Sequence, residues 1–136
     1  MSAHDEAKEI VEEFAFFDDW EDRYQHLIDM GRRLPDLDAS YKTEENLLRG
    51  CQSVVHFAAE YDAPKLNFFA GSDAAIVQGL IAVLMRVYSG RTPEDILATP
   101  PSFLEEIGLD EHLSPTRKNG LAAMVTAIMT EAQKTA

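Results

Sequence analysis

Cysteine is nearly absent from this chain of 136 residues, which contains only Cys51. A single cysteine excludes a disulfide framework and fits a reducing compartment. It also argues against a metal centre, because such a centre needs three or four ligands and the four histidines show no HxH or HExxH spacing. We therefore expect the chain to hold no metal and no cofactor of its own.

Long hydrophobic runs and basic clusters are also missing. The most apolar stretch, residues 74–88, is interrupted by Gln78 and Arg86 and is too short to span a bilayer. The amino terminus has no basic segment followed by an apolar one, as a signal peptide would. These features predict a cytoplasmic protein without membrane contact. The net charge of −12 repels phosphate backbones, so we expect no nucleic-acid partner.

Hydrophobic periodicity predicts one α+β domain over residues 1–136. Helical spacing or capping signals mark residues 7–17, the segment from the cap at 18–19 to about 33, residues 74–89, a short helix from 92–93, residues 102–107 and a last helix from 114–115. Apolar β-forming residues on both sides of a turn at 61–64 predict an antiparallel hairpin. A two-stranded hairpin alone is marginal, so we expect a small sheet of about three strands, with residues 47–50 leading into the third.

The surroundings of Cys51 are unusual for a structural cysteine, which normally has apolar neighbours. Gln52 and Ser53 follow it, and Gly50 precedes it and allows the backbone to bend or another molecule to approach. Arg49 places a positive charge beside the thiol, which favours the nucleophilic thiolate. Without a second cysteine, any covalent cargo on Cys51 stays until another molecule takes it. The pattern predicts a carrier.

A cysteine hydrolase is the alternative that the residues leave open. Cys51 would be the nucleophile, His112 the general base and Asp73 the residue that orients the base. Nothing in the spacing of the three residues requires this assignment.

Several motifs together resemble the SufE family of iron–sulfur assembly proteins. They are GCQS at 50–53, FAGSDAAIVQGL at 69–80, HLSPTR at 112–117 and GLAAM at 120–124, preceded by Trp20, Arg23, Tyr24, Gly31, residues 34–35 and Asn46. The resemblance covers nearly the whole chain after about residue 10, in the family's order and spacing. One departure is His56, where the family usually carries a tryptophan.

The resemblance implies a SufE/IscU-like fold and a sulfur acceptor that is not a stand-alone enzyme. A pyridoxal-phosphate cysteine desulfurase of the SufS or CsdA type would pass persulfide sulfur to Cys51, and the sulfur would go on to an iron–sulfur scaffold complex. The chain would stimulate the desulfurase, whose pyridoxal phosphate remains in the partner. The oligomeric state expected is a monomer or a weak homodimer.

Seven residues are expected by resemblance or position to support the cysteine loop and partner docking: Arg49, Gly50, Gln52, Ser53, Asp73, His112 and Arg117. Arg117 should lie near Cys51 by resemblance. The positive dipole end of the helix that begins at Ser72–Asp73 could favour a thiolate or persulfide nearby, but Asp73 would oppose that charge, so its alternative role is to order the Cys51 loop or tune partner docking. An IscU-like cluster scaffold is a further alternative. It needs three cysteine ligands, and this chain has one.

Overall fold

The computed structural model describes residues 2–136 and confirms an α+β architecture. Over these residues, seven α-helices surround one two-stranded antiparallel sheet. In chain order the elements are α1 (Ala3–Ala15), α2 (Trp20–Arg33), β1 (Val55–Asp62), β2 (Lys65–Ser72), α3 (Ala75–Tyr88), α4 (Pro93–Leu97), α5 (Phe103–Ile107), α6 (Leu109–His112) and α7 (Pro115–Thr135). Two short 3-10 turns, Ala39–Tyr41 and Glu44–Asn46, lie in the crossing between α2 and β1.

Local capping chemistry explains where most helices begin. The side chain of Asp19 accepts a hydrogen bond from the N–H of Asp22, 2.9 Å away, at the start of α2. Thr92 and Ser114 cap α4 and α7 in the same way, and each is followed by a proline at the first helical position. Helix α1 begins earlier than predicted, because Ser2 and Asp5 form a reciprocal capping box.

The sheet has two strands, so the expected third strand is wrong. β1 and β2 pair from Val55 opposite Ser72 to Asp62 opposite Lys65. The segment before β1 contributes one isolated bridge, Leu47 opposite His56. It goes no further because Gly50 adopts a left-handed φ of 92°, which turns the chain away from the sheet.

Helix α3 lies at the centre of the core, as its all-round apolar character predicts. Its inward and lateral side chains are at most 2% exposed: Ile76, Leu80, Ile81, Val83, Leu84 and Val87. Helices α1, α2 and α7 and strand β2 pack against it. In the described part of the chain, no helix has the length and apolar character needed to cross a membrane.

The crossing of α2 over α3 depends on two glycines. A Cβ atom at Gly79 would overlap the carbonyl oxygen of Leu27. A Cβ atom at Gly31 would lie 2.7 Å from the backbone nitrogen of Gly79. Since real Cβ atoms do not approach backbone so closely, these two positions require glycine for steric reasons.

Ion pairs fasten α1 to α2 and α3. Arg86 of α3 donates to Glu6 Oε1 at 2.6 Å and to Glu13 Oε2 at 3.0 Å. His26 of α2 places Nε2 2.8 Å from Glu13 Oε2. Partial burial opposes charge on Glu13, but the hydrogen bonds from His26 and Arg86 outweigh it and lower the pKa of this carboxyl.

The glycine crossing predicts a large effect of Gly79→Ala on stability. The added methyl group forces α2 and α3 apart, so the free energy of unfolding should fall by about 1–3 kcal/mol or more. Urea unfolding of the variant and the wild type measures this difference in free energy. Gly120→Ala, in α7, is the matched control: its Cβ would be 3.6 Å from the nearest atom, and it should change stability by about 1 kcal/mol or less, favourably. Equal unfolding midpoints for the two variants would contradict the steric account.

The ion pairs predict a pH dependence. Because the folded pKa of Glu13 is lowered, its contribution to stability is present above the ordinary pKa of a glutamate and is lost as the pH falls through the folded value. Glu13→Gln should therefore lose less stability on acidification than the wild type, as measured by urea unfolding from neutral into acid pH. Glu12→Gln, which removes an exposed carboxylate from the same helix, should parallel the wild type. If the free energy of unfolding falls equally with pH in all three proteins, the ion pairs of Glu13 do not cause the pH dependence.

Candidate functional site

Cys51 lies in the loop that joins the second 3-10 turn to β1. Gly50 immediately before it bends the chain, and the loop then runs against α7. A Cβ atom at Gly50 would lie 3.5 Å from the Cβ of Ala123, so the loop rests closely on that helix. The result is a half-buried cysteine, held between the loop and α7.

The sulfur sits over a glycine of α7. The thiol of Cys51 donates to the carbonyl oxygen of Gly120, with a distance of 3.8 Å between Sγ and the oxygen. Burial raises the pKa of the Cys51 thiol above its ordinary value. The prediction that Arg49 lowers this pKa is therefore wrong. Desolvation of the thiol prevails, and Arg49 itself is exposed.

A cavity of about 340 Å³ opens beside the sulfur. It is lined by Cys51, Gln52 and Ser53 of the loop, Val77 and Leu80 of α3, and Ser114, Thr116, Arg117, Gly120, Leu121 and Met124 of α7 and its cap. The apolar side chains come from the core, and the polar ones lie nearer the surface. Such a cavity has room for a small group attached to the sulfur, with apolar side chains on one side and hydrogen-bonding groups on the other.

Three of the expected supporting residues meet Cys51 in this cavity, namely Gln52, Ser53 and Arg117. Arg49 and Gly50 belong to the same loop but do not line the cavity. Within residues 2–136, neither Arg49 nor Arg117 forms a salt bridge. Both cations are exposed, and of the two Arg117 lines the cavity.

Asp73 and His112 lie elsewhere, so the alternative triad is not assembled. Asp73 lines a second cavity of about 230 Å³ together with His56. The His112 ring stacks on Trp20, with centroids 4.4 Å apart and an interplanar angle of 8°. Neither residue lines the cavity of Cys51.

The start of α7 gives the cysteine cavity its polar residues Ser114, Thr116 and Arg117, whereas α3 gives it the apolar Val77 and Leu80. The predicted cap of α3 at residues 71–73 is wrong, because Ala74 is the N-cap residue and no side chain caps this helix. The Oγ of Ser72 accepts a hydrogen bond from the N–H of Ala74 at 3.2 Å, and Ser72 and Asp73 line the second cavity. The sequence did predict α7 from its Ser114–Pro115 cap, but periodicity could not reveal that Gly120 lies under the sulfur.

Metal ligands are not clustered in the part of the chain that the structure describes. No three His, Cys, Asp or Glu side chains there lie close enough together to hold an ion. The cysteine site consists of one thiol, hydroxyl and amide groups and an arginine.

The profile of the SufE family, described as an Fe-S metabolism associated domain, matches residues 8–132. The chain belongs to the SufE family. An uncharacterized SufE-like protein of Rhizobium meliloti strain 1021 is 39% identical over 130 residues, which cover 92% of this chain and 93% of the relative. An uncharacterized SufE-like protein of Rhizobium etli is 41% identical over 130 residues, covering 92% of this chain and 88% of the relative. Family membership supports a role in iron–sulfur metabolism.

A solved structure shares this SufE-family fold. The solution structure of a hypothetical protein from Thermus thermophilus superposes with a TM-score of 0.79 at 24% sequence identity. The alignment covers 96% of this chain and 95% of the other. The two proteins therefore have the same fold.

Proposed function

We propose that this protein accepts a sulfur atom on Cys51 from the persulfide of a cysteine desulfurase and passes it on for iron–sulfur cluster assembly. The observation that carries the proposal is the position of the single cysteine. In a SufE-family fold, it lies in a cavity lined by no histidine or carboxylate that could serve it as a general base. Such a site suits a thiol that receives a group by direct attack and needs no hydrolytic machinery.

The transfer is a thiol–persulfide exchange. The thiolate of Cys51 attacks the outer sulfur of the desulfurase persulfide, forming a new S–S bond, and the desulfurase cysteine leaves with the electrons of the broken S–S bond. The proton that Cys51 gives up goes to solvent or to the leaving thiolate. No net oxidation occurs, so the step needs neither an oxidant nor a cofactor in this chain. Pyridoxal phosphate acts earlier, in the partner.

The resting site has low nucleophilicity because the thiol is half buried and its pKa is raised. Docking of the desulfurase would have to move Cys51 toward the partner's persulfide. That movement would relieve the desolvation that raises the pKa of the thiol, and so would favour its ionised form. The burial of Cys51 at rest would thus limit reactions with other electrophiles.

The docking surface would surround the mouth of the cavity. Gln52, Ser53 and Arg117 line the cavity, and Leu47 and Val54, in the same loop as Cys51, have exposed side chains, 43% and 50%. Exposed apolar groups beside a charged rim are typical of protein-binding surfaces.

Residues of the same loop would complete that surface. Arg49 and Gly50 belong to it by their place beside Cys51. Asp73 shares the second cavity with Val54, so it would extend the surface on the far side of the loop. His112, stacked on Trp20, is assigned no part in sulfur transfer. The protein would act as a monomer or weak homodimer and release its sulfur to a scaffold complex.

The proposal predicts different outcomes for substitutions at Cys51 and His112. With a cysteine desulfurase and free cysteine, the wild type should raise desulfurase turnover. Cys51→Ser should leave turnover at the rate of the desulfurase alone, because a hydroxyl is hardly ionised at neutral pH. His112→Ala should stimulate like the wild type. Turnover is followed by the production of alanine from cysteine.

A binding measurement for each variant is the control. Cys51→Ser should still bind the desulfurase, since the sulfur is a small part of the surface around it. Full stimulation by Cys51→Ser would contradict the acceptor mechanism. Cleavage of an ester or amide by the wild type alone, lost in both variants, would favour the hydrolase instead.

A further inference from the structure

The cysteine loop rests on α7 through residues that have little or no side chain. A Cβ atom at Gly120 would lie 3.6 Å from the Sγ of Cys51 and 4.0 Å from its Cα and Cβ. One turn further along the helix, Ala123 lies 3.5 Å from where a Cβ of Gly50 would be. Residues three apart share a helix face, so Gly120 and Ala123 form one continuous seat for the loop.

The glycine in this seat has no conformational reason to be there. Gly120 lies inside a helix of 21 residues and does not have the positive φ of Gly50. A glycine inside a helix costs about 0.5–1 kcal/mol relative to alanine. The atoms nearest to a Cβ built at Gly120 all belong to Cys51, and the shortest distance, 3.6 Å, is an ordinary van der Waals contact. The cysteine therefore leaves room at position 120 for a small side chain and not for a large one.

We infer that Gly120 is a positioning residue, whose small size lets the loop rest on α7 and holds Cys51 in its half-buried, weakly reactive position. Ala123 supports the same seat beneath Gly50. Any consequence of this contact for sulfur transfer rests on the proposed function. The contact between the loop and α7 is independent of it.

The surroundings of the sulfur show what would happen if the loop were displaced. From α7 the cavity receives Arg117, and α3 contributes the apolar Val77 and Leu80. Burial among these groups raises the pKa of the Cys51 thiol. A side chain that pushes Cys51 toward solvent removes this desolvation, so the thiol becomes more acidic and more reactive.

Whether a substitution at position 120 displaces Cys51 should depend on the size of the new side chain. An alanine Cβ at 3.6 Å from the sulfur makes an ordinary van der Waals contact, so Gly120→Ala should leave the loop seated. Valine adds two methyl groups beyond that Cβ and has one strongly preferred rotamer in a helix, which prevents both from turning away. Gly120→Val should therefore displace Cys51.

The test is the rate of alkylation of Cys51 by iodoacetamide as a function of pH, without any desulfurase. Gly120→Val should shift the midpoint of the profile to lower pH and raise the rate at neutral pH, because a larger fraction of the thiol is ionised there. Gly120→Ala should behave like the wild type. Ala122→Val is the matched control, because it places the same side chain on the exposed face of the same helix. It should also leave the profile unchanged.

Ala123→Leu provides an independent test in case the Gly120→Val variant does not fold. It crowds Gly50 without touching the sulfur, and it should shift the profile in the same direction. A wild-type profile in the folded large variants, or an equal shift in Ala122→Val, would overturn the positioning role. Neither result would affect the proposed function, which depends on whether Cys51 takes sulfur from a desulfurase and is tested by turnover.

Discussion

The close contact between α2 and α3 is the constraint on which the rest of this structure depends. Gly79 lies against the carbonyl oxygen of Leu27, and Gly31 lies against the backbone of Gly79, so the two helix axes approach until backbone touches backbone. This approach fixes α3 at the centre of the core, where its side chains are shielded on all sides. Since Val77 and Leu80 of α3 lie on the apolar side of the cysteine cavity, the glycine contact also sets the position of the site.

The cysteine site is defined by contact and desolvation more than by paired titratable groups. Its sulfur lies over the Gly120 carbonyl, its loop rests on Ala123, and Arg117 is the charged residue that lines its cavity. An arrangement without a base or a metal ligand can store a group on sulfur but cannot readily activate water. Under the proposed function, the loop would have to leave its contact with α7 when a partner docks, and this would couple sulfur transfer to recognition of the partner.

The helices could be predicted from local capping chemistry. The features that were predicted wrongly depend on contacts between distant parts of the chain. The caps at Asp19, Thr92 and Ser114 depend on neighbouring residues, so their positions follow from the sequence. The prediction of a third strand was wrong because Gly50, which has a left-handed φ, redirects the chain. Arg49 suggested an acidic thiol because it is adjacent in sequence, but the burial that raises the pKa of the thiol comes from α7, some 70 residues later in the chain.

The family motifs identified the cysteine and most of its surroundings without showing how they meet. Arg117 does reach the cavity of Cys51, whereas His112 lies only five residues earlier and stacks on Trp20 instead. Asp73 faces another cavity. Spacing along the chain cannot separate these cases, because His112 ends the short helix α6 whereas Arg117 lies in the first turn of the next helix, α7.

The most direct test of the sulfur-acceptor account is a single transfer. A cysteine desulfurase is loaded with persulfide, freed of cysteine and mixed with this protein, and both chains are followed by intact mass spectrometry without reductant. The account predicts that the desulfurase loses one sulfur atom while Cys51 gains one. Sulfur that stays on the desulfurase, or appears as free sulfide while Cys51 remains unmodified, would contradict it.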